Sequence, residues 1–80
     1  MNNEMYPLTI IKDRYNGTYS GGMYLAFNLE YDEIPQAVSG SDMDCANFWS
    51  RTRLIVGKGA TISQAYDDLK EKIAKFNLEV

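Results

Sequence analysis

The 80-residue sequence contains no histidine and a single cysteine, Cys45. A Cys/His zinc site and a Ser-His or Cys-His nucleophile pair therefore lack the residues that they require. One cysteine cannot form a disulfide within the chain, and a lone thiol is typical of a cytosolic protein. We expect Cys45 to be a small core residue, and the protein to be a non-enzymatic one that uses no metal and no cofactor.

Long apolar runs are also missing. None approaches the roughly 20 residues that a membrane-spanning helix needs. The N-terminal residues 1–7 lack the basic region and the apolar run of a signal peptide. We therefore expect a cytoplasmic protein, in the host cell if it is phage-encoded, with no membrane partner.

Basic residues are absent from residues 15–50, which we call the acidic segment. The net charge of the chain is −3, but this segment alone carries −5 and the remainder carries +2. Such a segment attracts basic surfaces and repels phosphate backbones, so direct binding of nucleic acid is disfavoured. It is either a solvated loop that keeps a small domain soluble or a docking face for a basic protein. Its acids are Glu30, Asp32, Glu33, Asp42 and Asp44.

Three segments have the patterns of strands. Tyr6–Lys12 is rich in β-branched residues, with Pro7 near its start as in an edge strand. Met23–Tyr31 alternates strictly, with Leu25 and Phe27 on one face and Tyr24 and Ala26 on the other. Thr52–Val56 predicts a third short strand, which Gly57-Lys58-Gly59 ends. The Tyr24 face is mixed enough to meet solvent or a partner, and this face or any free edge strand could support a homodimer.

Two segments predict helices. Asp42 can cap a short helix in which Cys45, Phe48 and Trp49 lie on one side. Thr61 and Gln64 have the spacing of a capping box at the start of a longer helix. Asn77 can stop this helix, and Leu78-Glu79-Val80 could add a short terminal strand. Its apolar stripe, at steps of three and four, consists of Ile62, Ala65, Tyr66, Leu69, Ile73 and Phe76.

These elements predict an α+β fold: an antiparallel three-stranded sheet with room for a short fourth strand. The C-terminal amphipathic helix packs on one face of the sheet, and a short helix lies in the connection that precedes the third strand. We expect residues 1–5 to form a flexible tail and residues 6–80 to form a single domain.

The segment Asp13–Gly22, which we call the Tyr/Gly loop, is unusually long for a small domain. Its Arg14, Tyr15 and Tyr19 are of the types that dominate interface hot spots. These residues could anchor a protein partner, or stack the base and hold the phosphate of a signalling nucleotide. Alternatively, the tyrosines fold back onto the sheet. A Mg²⁺-dependent nuclease built from Asp13, Asp32, Asp42 and Asp44 is a further alternative, but no spacing requires it.

Two resemblances follow from particular residues. The layout of the chain resembles the N-terminal domain of HicB antitoxins. The segments that carry this resemblance are the strand that starts at Tyr6-Pro7, the hairpin into Met23–Tyr31, and the run from Gly57 through Leu69. That family has a partial RNase H-like fold and implies a module that masks a toxin. This chain departs from it in the segment 32–51, which we call the insert, and we expect no C-terminal DNA-binding segment.

A second resemblance is to small phage and prophage proteins. The segments that carry it are the Tyr/Gly loop, Ser41-Asp42 and the run Cys45–Trp49. Such short, acidic, cofactor-free proteins resemble anti-defence inhibitors, including anti-CRISPR proteins, which act stoichiometrically. The resemblance implies an inhibitor of a basic, nucleic-acid-handling protein of a bacterial defence system. The residues expected to contact the partner are Arg14, Tyr15, Tyr19, Glu30, Asp32, Glu33, Asp42 and Asp44.

Overall fold

A computed structural model describes residues 6–79 of the chain. Within this range, the predicted α+β fold is confirmed: three antiparallel strands in the order β1-β2-β3, a short helix in the insert, and a long C-terminal helix. Residues 1–5, expected to be a tail, and Val80 lie outside the described residues. The elements are β1 (Thr9–Lys12), β2 (Tyr24–Phe27), α1 (Asp42–Arg51), β3 (Val56–Gly59) and α2 (Ile62–Glu79), with 3₁₀ helices at Tyr31–Glu33 and Gln36–Ser39.

β1 and β2 are shorter than the sequence patterns predicted, and their backbone pairing runs from Thr9 opposite Phe27 to Lys12 opposite Tyr24. Before Thr9, Pro7 has no N–H to donate to a neighbouring strand. Side chains join the two segments there instead. Asn28 Nδ2 donates to the Pro7 carbonyl at 2.7 Å, and Thr9 Oγ1 donates to the Leu29 carbonyl at 2.8 Å.

Both faces of the sheet are covered, which the sequence pattern did not predict. On one face, Leu25 and Phe27 pack with Val38 of the insert and Val56 of β3, and Phe48 and Trp49 of α1 pack against this cluster. On the other face, Ala26 packs with two residues of α2, Ala65 and Leu69. Ala26 is fully buried. The expectation that the Tyr24 and Ala26 face meets solvent or a second copy is therefore wrong, because α2 occupies it.

β3 lies four residues later than predicted, and the glycines expected to end it are part of it. The helix α2 packs directly on the strand backbone at these glycines. A Cβ at Gly57 would lie 2.6 Å from Leu69 Cβ, and one at Gly59 would lie 2.5 Å from the backbone nitrogen of Ala65. Real Cβ atoms do not approach this closely, so β3 requires glycine where α2 crosses it.

The two helices begin near the predicted positions. Ser41, rather than Asp42, caps α1, since its hydroxyl accepts from the Asp44 backbone N–H at 3.2 Å. The Thr61 hydroxyl accepts from the Gln64 N–H at 3.1 Å, while the Gln64 carbonyl oxygen accepts from the Ala60 N–H at 2.9 Å. The predicted stop at Asn77 and the terminal strand are wrong, because α2 continues to Glu79.

Candidate protein-binding surface

Asp13 organises the Tyr/Gly loop from within. The residue is only 3% exposed, and its Oδ2 accepts from the backbone N–H groups of Tyr15 at 3.2 Å and Gly17 at 2.6 Å. Asn16 and Gly17 both have positive φ, 55° and 89°, and Thr18 N–H donates to the Tyr15 carbonyl at 3.1 Å. Two consecutive residues with positive φ, enclosed by a hydrogen bond between the residues on either side of them, are typical of a type I′ turn. The loop therefore has a defined conformation, set by its own residues.

The loop is fastened to the insert by three side chains. Arg14 Nη1 donates to the carbonyls of Ser39 and Gly40, both at 3.1 Å. The Tyr15 hydroxyl donates to the Gly40 carbonyl at 2.8 Å, and the Tyr19 hydroxyl donates to Asp42 Oδ2 at 3.3 Å. We call the resulting area the loop–insert surface, which consists of Arg14, Tyr15, Tyr19, Asp42 and Asp44.

The two tyrosines of this surface also contact each other. Their rings meet edge to face at 5.5 Å, and the Arg14 guanidinium lies 5.2 Å from the centre of the Tyr15 ring. Burial raises the pKa of both hydroxyl groups, and the carboxylate of Asp42 raises the pKa of each further. Both residues are half-buried. They are thus neither free in solvent nor folded onto the sheet; they lie against the insert.

The five acids of the acidic segment are all exposed. Across residues 6–79, none of them takes part in an ion pair; the pair that the structure shows joins Lys72 and Asp68 of α2. The acids form two groups along the chain. Asp42 and Asp44 belong to the loop–insert surface, at the first turn of α1. Glu30 precedes the 3₁₀ helix Tyr31–Glu33, and Asp32 and Glu33 belong to it. We call these three acids the acidic turn, in which Glu33 Oε1 accepts from the Glu30 N–H at 2.9 Å.

Cys45 stabilises the conformation of the insert at the place where the Tyr/Gly loop contacts it. Its Sγ lies 3.1 Å from the Ala37 carbonyl oxygen and 3.3 Å from the Val38 carbonyl oxygen, so its single S–H can donate to either, and the residue is 1% exposed. Burial raises the pKa of the thiol, so its neutral form is favoured. The prediction that Cys45 is a core residue is confirmed. By joining α1 to the 3₁₀ helix Gln36–Ser39, the thiol helps to place the carbonyl of Gly40.

Two contributors to this surface were not identified from the sequence. Asp13 enters the sequence analysis only as a metal ligand, although an Asp that precedes an Asn-Gly pair is a recognisable turn-forming residue. Gly40 acts through its carbonyl oxygen, which accepts from both Arg14 and Tyr15. Every residue has a backbone carbonyl, so no pattern of residue types could have indicated that this one is an acceptor.

The chain matches no family model, no curated protein and no solved structure. The structure shows no helix, in the range that it describes, that is long and apolar enough to cross a membrane. Among residues 6–76, whose side chains the structure describes, no three Cys, Asp or Glu side chains are grouped so that they could hold a metal ion.

Proposed function

We propose that this protein is a non-enzymatic, stoichiometric inhibitor that binds a basic, nucleic-acid-handling protein of a bacterial defence system, in the manner of an anti-CRISPR protein. The observation that carries the proposal is the exposure of five carboxylates that have no ion-pair partner among the described residues. Asp42 accepts from the Tyr19 hydroxyl and Glu33 accepts from the Glu30 N–H, but neither bond neutralises a negative charge. The charges of the acidic segment therefore remain available for a basic partner.

Electrostatic attraction from the acidic segment would accelerate association with a positively charged groove. Complementary charges act mainly on the association rate and on specificity, and salt weakens them. Acidic side chains could occupy the positions of nucleic-acid phosphates in such a groove. The binding would then be competitive with nucleic acid, and its rate would fall as the salt concentration rises.

The loop–insert surface would supply the anchoring contacts. Tyr15 and Tyr19 already make hydrogen bonds to Gly40 and Asp42, so binding would not need to order a ten-residue loop. Rigid tyrosines with an adjacent arginine are typical of interface hot spots. The same bonds disfavour the nucleotide-binding alternative for this loop, because Arg14 donates to two backbone carbonyls rather than facing an open site.

The test is binding of the purified protein to a panel of guide-RNA-loaded CRISPR effectors, measured by biolayer interferometry at several salt concentrations. The expected result is a one-to-one complex with at least one effector, competition by its target DNA, and an association rate that falls with salt. If no effector binds, or if bound inhibitor and target DNA do not compete, the proposal is wrong.

Replacing acids by their uncharged amides of nearly equal size shows which part of the acidic segment contacts the partner. The variant Asp42→Asn/Asp44→Asn should associate more slowly, and Glu30→Gln/Asp32→Asn/Glu33→Gln tests the acidic turn separately. The matched control is Asp67→Asn/Glu71→Gln, which makes the same change in net charge as the first variant at two exposed positions of α2. Equal slowing by the control would mean that net charge, rather than the acidic segment, drives association.

A further inference from the structure

A cleft lies between α1, β3 and the C-terminal half of α2. Its volume is about 430 Å³, within the range of small-molecule sites. The apolar part of its wall includes Trp49, Leu54 and Phe76. Its charged part includes Lys58, Lys72 and Lys75, and no acidic residue lines it among residues 6–76, whose side chains the structure describes. The cleft involves none of the residues of the loop–insert surface or the acidic turn.

The lysines of the cleft are only partly neutralised. Lys72 pairs with Asp68 at 2.9 Å and also donates to the Val56 carbonyl at 2.8 Å. Lys58 has no ion pair in the described part of the chain; its Nζ lies 5.1 Å from the centre of the Trp49 ring instead. Partial burial lowers the pKa of Lys58, as does the positive charge of Lys72, while Asp68 acts in the opposite direction. An anion at this place would relieve the repulsion between the two ammonium groups.

The apolar wall limits what kind of anion fits. Trp49 and Phe76 offer aromatic surface, and Leu54 extends it. A bare inorganic ion would leave this surface exposed, whereas a ligand with a flat apolar body would cover it. From these features we propose that the cleft binds a small organic anion, in which a phosphate or carboxylate group is held by Lys58 and Lys75 and an aromatic body lies against the apolar wall.

Trp49 is the single tryptophan of the sequence and lines the cleft, so a ligand bound there should change its fluorescence. The test is a titration with four probes, excited at the red edge of tryptophan absorption. AMP and benzoate carry both an anionic group and a ring, adenosine has the ring only, and inorganic phosphate has the charge only. The expected result is a saturable change with AMP, benzoate or both, and at least about tenfold weaker binding of adenosine and phosphate. A response to AMP alone identifies a phosphate ligand, and a response to benzoate alone identifies a carboxylate ligand.

Matched lysine variants test the location. Lys58→Met keeps the unbranched side chain and removes the charge, and it should weaken binding about tenfold. Lys75→Gln should also weaken it. Lys70→Met is the control, an exposed lysine of α2 that does not line the cleft. Amide chemical shifts of the wild type provide a measurement that does not depend on variant folding, and the changes on adding the probe should centre on Ile55–Lys58.

The proposal is overturned if neither AMP nor benzoate gives a saturable change. It is equally overturned if Lys58→Met and Lys70→Met bind the probe alike, or if the chemical-shift changes centre on the Tyr/Gly loop. Failure of this cleft site would leave the proposed inhibitor function intact, because that function depends on the acidic segment and the loop–insert surface.

Discussion

Asp68 and Lys72, one helical turn apart on α2, form an ion pair of 2.9 Å. Both side chains also make hydrogen bonds to the backbone at the edge of the sheet. Asp68 Oδ2 accepts from the Lys58 backbone N–H at 2.8 Å, and Lys72 Nζ donates to the Val56 carbonyl at 2.8 Å. These are backbone groups of β3, an edge strand. Edge strands with free backbone groups invite pairing with other chains. The pair therefore stabilises the fold and blocks strand addition at β3.

We predict that Asp68→Ala lowers the free energy of unfolding by about 1 to 2 kcal/mol, since a charged acceptor is removed from a backbone donor. Urea denaturation followed by circular dichroism measures this loss. Asp67→Ala, an exposed neighbour, is the control and should change stability much less. Equal losses in the two variants would contradict the role of Asp68.

The same carboxylate should make stability depend on acid pH. Burial tends to raise the pKa of Asp68, but hydrogen bonds from Lys72 and from the Lys58 N–H outweigh it, so the pKa is lowered. A lowered pKa in the folded state gives stability that is present above the unfolded value of about 3.9 and is lost as pH falls through the folded value. The stability difference between wild type and Asp68→Asn should therefore shrink below about pH 4. A constant difference across this range would show that the charge is not involved.

Gly57→Ala should destabilise the protein by about 1 to 3 kcal/mol, the usual cost of overpacking a tight contact. The added methyl group would lie 2.6 Å from Leu69 Cβ, so α2 would have to move away from the sheet. Thermal or urea denaturation measures the effect. Gly40→Ala is the comparison, because the nearest neighbour of its added methyl lies 3.2 Å away and the loss should be smaller. A stable Gly57→Ala variant would mean that α2 does not pack this closely on β3.

The tyrosine hydroxyls of the loop–insert surface should contribute to alkaline instability. Because burial and Asp42 raise the pKa of Tyr15 and Tyr19 in the folded state, stability is fully present below the unfolded value of about 10 and is lost as pH rises above it. Tyr15→Phe/Tyr19→Phe should weaken this alkaline loss, which urea denaturation at increasing pH measures. Tyr31→Phe, 74% exposed and outside the loop, controls for the removal of a hydroxyl. Identical pH profiles for wild type and the double variant would refute the assignment.

Cys45 should be protected from thiol reagents in the folded protein, because it is 1% exposed and its thiol lies within hydrogen-bonding distance of the Ala37 and Val38 carbonyls. We expect its reaction with Ellman's reagent to be at least about a hundredfold slower in buffer than in denaturing urea, since modification requires opening of the insert. Comparable rates would show that the insert opens readily. Cys45→Ala should weaken the link between α1 and the 3₁₀ helix Gln36–Ser39.

The helical parts of the fold could be predicted from the sequence, because their signals are local. The cap at Thr61 and Gln64 and the buried positions Ala65 and Leu69 all follow from spacing within a few turns of one helix. Strand positions were predicted less well. The alternation around Leu25 and Phe27 predicts β2. The sequence predicts that Gly57 and Gly59 end the third strand, whereas they belong to β3, since glycine is normally unfavourable in a strand and its need here comes from the close packing of α2.

For the candidate surface, the sequence by itself determined the residue types and the uneven charge. It placed five acids between Arg14 and Arg51 with no basic residue among them, and their exposure follows from the cost of burying an unpaired charge. Only the tertiary structure decided what surrounds them. The bonds from Tyr15 to Gly40 and from Tyr19 to Asp42 join residues more than twenty positions apart. Contacts of this kind depend on how the insert folds over the sheet, and no local pattern of residues encodes them.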